Sequence, residues 1–190
     1  KGWTFLSDIG TSQWVLSTEK AVSPTRSLHS PGAATRSDTS AVSSAIAIPV
    51  AAANLSISFW HDYAFQTGQD GGVLELSLDG GSWFDVTASG SGAAFAANGY
   101  TATLSMTGSP TSRNPLAGRV AWSGTSPGFV KVVVNLTDTA KYAGHSLRVR
   151  WRLGTDSSTA SVGWYVDDVV LSGIGDPPPV PLSGTIIRVH

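Results

Sequence analysis

Apolar and polar residues alternate with a period of two in several parts of the chain. The clearest runs are residues 55–59, 73–78, 130–136 and 147–153. Successive side chains of a β-strand point to opposite faces, so this period is typical of strands with one buried face. Helical periodicity is nearly missing. The pattern therefore predicts an all-β protein built as a two-sheet antiparallel sandwich.

Glycine, aspartate and proline residues mark the connections between these runs. A hairpin is expected over residues 55–78, with its turn at 69–72. Residues 90–128 are rich in small residues and lack sustained periodicity, which predicts a long excursion with one or two short strands. After Gly173 the chain enters three consecutive prolines, which suit neither sheet nor helix interiors. We assign residues 1–175 to one sandwich, and 176–190 to a Pro-rich linker followed by a further segment or an edge strand.

Composition narrows the classes of partner. The chain has 190 residues, enough to bury the core of one sandwich. Only 13% of the residues are charged and the net charge is -1, so the chain lacks the positive field that nucleic acids require. No apolar run approaches the roughly 20 residues of a membrane span. Cysteine is absent, which removes disulfides and cysteine-bound zinc. We expect no nucleic-acid partner and no membrane insertion.

Two adjacent carboxylates, Asp167 and Asp168, interrupt an apolar run. Neighbouring side chains of a strand face opposite sides, so one carboxylate must share a face with apolar residues, and an unpaired buried carboxylate is unfavourable. We predict that this residue is Asp168, on the face of Trp164. Two cationic partners stay open: the arginine stripe at 148–152, available to Asp167 across the sheet, or a calcium ion bound by oxygen atoms. The alternative to the metal site is an aspartate held by hydrogen bonds alone. The predicted calcium ligands are Asp8, Asp38, Asp70 and Asp168.

Short motifs in a characteristic order cover most of the chain. They are SLHS at 27–30, FWHDY at 59–63, DGGVLELS at 70–77, DGGSW at 79–83, NGY at 98–100, PLAGR at 115–119, AWSG at 121–124, LRVRW at 147–151 and GWYVDDV at 163–169. In this order they resemble the MAM-like jelly-roll modules of secreted bacterial peptidases and surface proteins, including the C-terminal regions of immune-inhibitor-type metalloproteases.

The resemblance implies a two-sheet jelly roll that often carries a structural calcium ion. It also implies a role in adhesion, folding support or substrate engagement beside a catalytic domain. Such modules tend to carry an acidic residue just before the Asp-Gly-Gly turn, where this chain has Phe65, Gln66 and Thr67. The missing carboxylate weakens the expected calcium site, although Gln66 offers a neutral oxygen. A composition rich in Gly, Ser, Thr and Ala agrees with a secreted or cell-surface location.

Seven tryptophans make carbohydrate a candidate ligand, because flat aromatic faces stack on sugar rings. Trp151 and Trp164 lie within predicted strands and are interpreted as core residues. Trp60 shares a strand face with polar side chains, and Trp83 and Trp122 lie close to turns. The predicted ligand-binding residues are Trp60, Trp83 and Trp122, with ordinary packing as the alternative for each.

The sequence contains no recognisable set of catalytic residues. There is neither a His-Glu-x-x-His pair nor a Gly-x-Ser-x-Gly elbow. His61 and Asp62 are adjacent on a predicted strand, so they face opposite sides. A glycosidase would have to draw its two carboxylates from a small set, namely Glu75, Asp79, Asp85, Asp167 and Asp168. The sequence therefore predicts an ancillary module rather than an enzyme.

The expected function is that of a non-catalytic binding or adhesion module. It is expected to belong to a secreted or surface-exposed multidomain bacterial protein and to engage a polysaccharide, another glycan or a protein surface. The excursion at 90–128 is the expected recognition element, because loops on a rigid scaffold commonly carry function. The alternative is a structural spacer or folding-support domain that contacts neighbouring domains of the same chain, such as a peptidase. A polysaccharide-active enzyme is the third hypothesis.

Overall fold

The computed structural model describes residues 2–11, residues 14–175 and the two-residue strand at 188–189. These residues form fifteen strands and one short helix. In chain order the elements are β1 (Thr4–Ile9), β2 (Val15–Ser17), β3 (Ser27–Ser30), β4 (Ser37–Val42), β5 (Ile46–Ala47), β6 (Ser56–Ala64), β7 (Gly71–Leu78), β8 (Phe84–Asp85), β9 (Ala94–Ala97), β10 (Ala102–Thr103), β11 (Val120–Ala121), β12 (Val130–Asn135), α1 (Thr139–Tyr142), β13 (Ser146–Thr155), β14 (Gly163–Ser172) and β15 (Arg188–Val189).

Two sheets make up the sandwich. Sheet I has the order β1-β4-β13-β7-β8, with β5 also pairing with β13. Sheet II has the order β2-β3-β14-β6-β12-β9, with β15 beside β14. All pairs are antiparallel except β14 with β15, which is parallel. The predicted all-β, two-sheet jelly-roll sandwich is confirmed.

The core lies between the sheets and uses the apolar positions of the alternating runs. Burial alternates residue by residue along β6, as the period of two predicts. Phe59 of β6 and Trp151 of β13 are fully buried and meet edge to face, with ring centroids 5.2 Å apart. Trp164 of β14 is also fully buried, so both tryptophans assigned to the core lie there. Each sheet therefore keeps one face for the core and turns its polar face outward.

The hairpin predicted over residues 55–78 is wrong. β6 lies in sheet II and β7 in sheet I, so residues 65–70 cross from one sheet to the other. Distant residues bind both ends of this crossing: the N–H of Phe65 donates to the carbonyl of Gly124, and just after the crossing Gly72 exchanges hydrogen bonds with Trp122. Gly-rich turns serve hairpins and crossings alike, so the local sequence does not distinguish the two.

The excursion at 90–128 carries three short strands, β9, β10 and β11, rather than one or two. Strand β9 pairs with β12 at the edge of sheet II. Strand β11 pairs with β10, and its Ala121 belongs to a small apolar cluster with Leu104, Leu116 and Val73 of β7, which points away from the main core. The excursion therefore contacts both sheets.

The predicted linker at 176–190 lies outside the described residues apart from β15. That strand pairs with Val170 and Leu171 of β14. Within the described ranges, no helix has the length and apolar character needed to cross a membrane.

Candidate functional site

A β-bulge in β14 determines where the two adjacent carboxylates lie. Pairing with β6 is regular up to Asp167 and resumes at Val170, opposite Ser58. Between them, Asp168 has a φ of 46°, in the left-handed region that aspartate tolerates better than most residues. The prediction that Asp168 is the buried carboxylate is wrong, because the bulge interrupts the alternation: Asp167 is fully buried and Asp168 is half-buried.

Backbone N–H groups hold the Asp167 carboxylate. Its Oδ2 accepts hydrogen bonds from the N–H groups of Val22 at 2.7 Å and Ser23 at 3.2 Å, and its Oδ1 accepts one from Asp168 at 2.8 Å. Burial raises the pKa of Asp167 despite these donors. The arginine stripe lies on β13 in the other sheet, so pairing between Asp167 and that stripe is excluded.

The outer face of sheet II carries a shallow depression of about 170 Å³ beside Trp60. Lys131 lies directly opposite Trp60 in the pairing of β12 with β6. Asp168 contributes a carboxylate whose Oδ1 accepts a hydrogen bond from Ser23 Oγ at 2.6 Å. We call this area the Trp60 surface. It is lined by Ser58, Trp60, Lys131, Asp168 and Val170.

The groups of the Trp60 surface suit a polyhydroxylated ligand. The Trp60 ring is half-buried, while Lys131 is exposed. Neither Lys131 nor Asp168 belongs to an ion pair within the described part of the chain. An aromatic ring beside a free donor and a carboxylate acceptor can stack on a sugar ring and bind its hydroxyl groups. This surface therefore has polar groups left over for a partner.

The outer face of sheet I is arranged differently. Glu75 is buried and accepts hydrogen bonds from Arg119 Nη1 at 2.6 Å and from Arg150 Nε. Burial by itself raises the pKa of Glu75, but the charges of Arg119 and Arg150 outweigh burial and hold it below its usual value. We call the whole ion-paired group the arginine network. Its members are Asp38, Glu75, Asp85, Arg119, Arg150 and Arg152.

The three predicted ligand-binding tryptophans lie in three different settings. Trp60 lines the depression on sheet II. Trp83 lies on sheet I beneath guanidinium groups, with Arg150 4.6 Å and Arg148 5.6 Å from its ring centroid. Trp122 is 1% exposed and packs in the core, which is the alternative that the sequence left open for it, so its face is not available for stacking. Of the three, Trp60 has the setting that a sugar platform needs.

Three of the four predicted calcium ligands do not lie in a common metal site. Asp8 is exposed. Asp38 forms two hydrogen bonds to Arg152, at 2.7 and 2.6 Å. Asp168 lies in the Trp60 surface. Among the described residues no group of three or more histidine, aspartate or glutamate side chains is placed to hold a metal ion.

Asp70 differs from the other three. It is fully buried, and its Oδ1 accepts a hydrogen bond from the N–H of Asp156 at 2.8 Å. Its Oδ2 has no hydrogen-bond partner in the described ranges. Burial raises the pKa of Asp70 to about 7. Gln66, the neutral substitute, accepts from Ser158 Oγ at 2.7 Å. The four carboxylates do not fit one calcium site, and calcium binding stays a prediction, testable by melting with and without chelator.

Two of the carboxylates considered for glycoside hydrolysis share one arginine. Glu75 and Asp85 are directly opposite on β7 and β8, and Arg119 binds both. A general acid in a glycosidase needs a raised pKa, whereas that of Glu75 is lowered. His61 is buried while Asp62 accepts a hydrogen bond from Lys20, so these neighbours face opposite sides as predicted. Neither pair has the arrangement that an acid–base mechanism requires.

Sequence reasoning missed Lys131 as a neighbour of Trp60. Its outward direction follows from the alternation in the 130–136 run, so that signal was present. Its position opposite Trp60 follows from the register between β6 and β12, which are far apart in the chain. Nothing local in the sequence indicates that register.

No family model matches the chain, and no curated protein matches it significantly. Solved structures with a similar fold include one from a study of the structural basis for the promiscuous specificity of carbohydrate-binding modules from the β-sandwich superfamily. It aligns with a TM-score of 0.50 and 12% identity, over 90% of this chain and 56% of that one. Another is the glycoside hydrolase domain of Endo-D from Streptococcus pneumoniae R6, with a TM-score of 0.47 and 11% identity, over 86% of this chain and 20% of that one. At such low identity, the first likeness shows the β-sandwich fold.

Proposed function

We propose that this domain is a non-catalytic glycan-binding module that presents the Trp60 surface to a polysaccharide. The observation that carries the proposal is the grouping of Trp60, Lys131 and Asp168 around one depression. The indole supplies an apolar face for a sugar ring, and the other two supply a donor and an acceptor for hydroxyl groups. The β-sandwich fold, shared with a structure of carbohydrate-binding modules, supports the same proposal.

In this proposal the domain tethers a larger secreted or surface-exposed protein to a polymer. A shallow, open surface suits the side of a chain, since a polymer must pass across it rather than enter it. Weak binding at one surface is sufficient for such a role. When one module of a protein is bound to a polymer, the effective concentration of its other modules at that polymer is raised.

The test begins with affinity electrophoresis of the purified domain in gels that contain plant, fungal or bacterial cell-wall polysaccharides. The strongest ligand is then measured by isothermal titration calorimetry against Trp60→Ala and Trp83→Ala. We expect Trp60→Ala to weaken binding about tenfold, equivalent to about 1.4 kcal/mol, and Trp83→Ala to leave it unchanged. The Trp83 variant is a matched control, since it removes an indole from the outer face of the other sheet.

Two results would contradict the proposal. One is a wild-type domain that retains none of the polysaccharides. The other is a Trp60→Ala variant that is folded, by circular dichroism and thermal melting, and binds the strongest ligand as the wild type does.

A further inference from the structure

The Trp60 surface is bordered by a loop at one end and is open at the other. Asp62, the next outward residue of β6, is bound by Lys20 Nζ at 3.0 Å, and the loop that carries Lys20 also binds Asp168 through Ser23. The side chain of Asp62 is only 13% exposed. A ligand on the Trp60 ring that follows β6 therefore continues in the other direction, towards the start of the strand.

In that direction the outer face of sheet II carries small, uncharged side chains. Ser58 of β6 stands opposite Val133 of β12 on one side and Val170 of β14 on the other. All three residues are half-buried. Small outward side chains on three neighbouring strands leave a low floor, along which an extended ligand can lie.

A second depression, of about 350 Å³, lies at the far end of this floor. Ser56, which lines it, and Ser58, which lines the Trp60 surface, are successive outward residues of β6. Asn135 of β12 stands directly opposite Ser56. We call this area the Asn135 depression. Its polar lining residues are Asn54, Ser56, Asn135, Thr137 and Thr139, and the buried Leu55 and Leu136 complete it.

The polar groups of the Asn135 depression are accessible to a ligand. Asn54, Asn135 and Thr137 are exposed, and Ser56 and Thr139 are half-buried. None of these five side chains forms a hydrogen bond within the described part of the chain. Each amide offers donors and an acceptor, which match neighbouring hydroxyl groups of a sugar. No aspartate, glutamate, lysine or arginine lines the depression, so it suits an uncharged sugar.

The distance between the two depressions determines how long a ligand must be to use both. Trp60 and Ser56 are four residues apart on one strand, which corresponds to about 13 Å. A disaccharide that stacks on Trp60 does not reach the amide of Asn135, whereas a tetrasaccharide spans both.

We infer that the two depressions form one groove along β6 and β12, and that the groove binds an uncharged, linear glycan segment of about three to four sugar residues. One sugar stacks on the indole of Trp60. A sugar further along the same chain exchanges hydrogen bonds with the amides of Asn54 and Asn135. The inference rests on the proposed glycan-binding function and adds the direction, the length and the neutral character of the ligand.

Oligosaccharides of defined length test the groove. The domain is produced in a bacterial host, since Asn54 and Asn135 each begin an Asn-x-Ser/Thr sequence that eukaryotic secretory cells glycosylate. Cello-, xylo-, manno- and chito-oligosaccharides of two to six residues are titrated into the ¹⁵N-labelled domain, whose resonances report weak as well as tight binding. We expect at least one series to bind at least tenfold more tightly as the tetrasaccharide than as the disaccharide, with little further gain in longer members.

Variants separate the two ends of the groove. Asn135→Ala removes one exposed amide. Asn54→Gly removes the other and keeps the backbone, because Asn54 has a φ of 54° that glycine adopts without strain. Each variant is expected to weaken the tetrasaccharide about fivefold and to leave the disaccharide unchanged. Trp60→Ala is expected to weaken both. The control, Thr103→Ala, removes an exposed polar side chain from β10 and is expected to change neither.

The outcomes distinguish the groove from the proposed function. Equal affinities for disaccharide and tetrasaccharide in every series, or no binding by any of the four series, overturn the groove and leave polysaccharide binding at Trp60 intact. Tetrasaccharide affinity that is unchanged in both asparagine variants, or shifts that reach Trp60 but neither Ser56 nor Asn135, also overturn it. If a variant does not fold, the length dependence and the shifts of the wild-type domain still decide. A domain that retains no polysaccharide contradicts the proposed function itself, and the groove with it.

Discussion

The outer faces of the two sheets both carry a tryptophan, carboxylates and cations, yet they arrange them in opposite ways. On sheet I, the charges of the arginine network satisfy each other, and Trp83 lies beneath two guanidinium groups. On sheet II, Trp60 lies beside Lys131 and Asp168, which form no ion pair in the described part of the chain. The same residue types therefore stabilise the fold on one face and remain available to a ligand on the other.

Register explains the difference. On sheet I, Glu75 stands opposite Arg150 on β13, so opposite charges meet directly there. On its other side Glu75 stands opposite Asp85, and Arg119 bridges these two carboxylates. On sheet II, Lys131 stands opposite Trp60 rather than opposite an acid. Asp167 is buried against backbone N–H groups and is removed from that surface. Cross-strand neighbours, rather than composition, decide which face is left with free groups.

The largest expected effect is the loss of stability in Glu75→Gln. This change leaves Arg150, which is 9% exposed, and part of Arg119 without their carboxylate. Removing one partner of a buried ion pair costs about 3–5 kcal/mol. Urea unfolding at pH 7 measures this loss, and calorimetry at a temperature where the variant is folded should show unchanged polysaccharide binding.

Asp79→Asn is the matched control for Glu75→Gln. Asp79 also forms an ion pair, with His145, but it is more than half exposed. Exposed ion pairs contribute little to stability, so this variant should melt close to the wild type. Equal losses in the two variants would contradict the assignment of the arginine network to stability.

The second effect is an opposite pH dependence of the two sheets. The pKa of Glu75 is lowered in the folded protein, so its stabilisation is present above the unfolded value of 4.5 and is lost as the pH falls further. The pKa of Asp167 is raised by burial, so its contribution is full below the unfolded value of 3.8 and is lost as the pH rises through the folded value. The destabilisation by Glu75→Gln should therefore shrink towards low pH, and that by Asp167→Asn should grow.

Urea unfolding of the wild type and both variants between pH 3.5 and pH 7 measures these trends. The difference between variant and wild type is the quantity to compare, because contributions from other titrating groups, such as His61 and Asp70, are common to both proteins and cancel. Parallel trends in the two variants would mean that the carboxylates of the two sheets are held in the same way.

The fold was largely predictable from sequence, because its strands follow a simple local rule. The runs at 55–59, 73–78, 130–136 and 147–153 overlap β6, β7, β12 and β13, and their apolar positions form much of the core. The rule failed where pairing is not local. Nothing near Gly71 indicates that the chain crosses between sheets there, and nothing near Trp122 indicates that it returns to pair with Gly72.

The candidate site was predictable only in part. Trp60 was identified because alternation placed it with polar side chains, and the structure agrees. The prediction for Asp168 failed because one extra residue in β14 shifts every later side chain to the other face. Aspartate is among the few residues that adopt a positive φ easily, so a pair of aspartates in an apolar strand permits a bulge but does not require one. Two of the backbone N–H groups that donate to Asp167 belong to residues 22 and 23. These residues are far from Asp167 in the chain, and no sequence pattern indicates the contact.

The smallest expected effect tests how far the Trp60 surface depends on charge. Asparagine tolerates the backbone conformation of Asp168 and keeps an oxygen for the hydroxyl of Ser23, so Asp168→Asn should change stability by less than about 0.5 kcal/mol. A charged acceptor binds a hydroxyl group more strongly than a neutral one, so polysaccharide affinity should fall roughly threefold, within the range of one hydrogen bond. Calorimetry with Lys131→Gln in parallel measures the matching loss of the cation. Full affinity in both variants would mean that the ligand stacks on Trp60 without contacting its charged neighbours, and the difference between the two faces would then lie in their tryptophans alone.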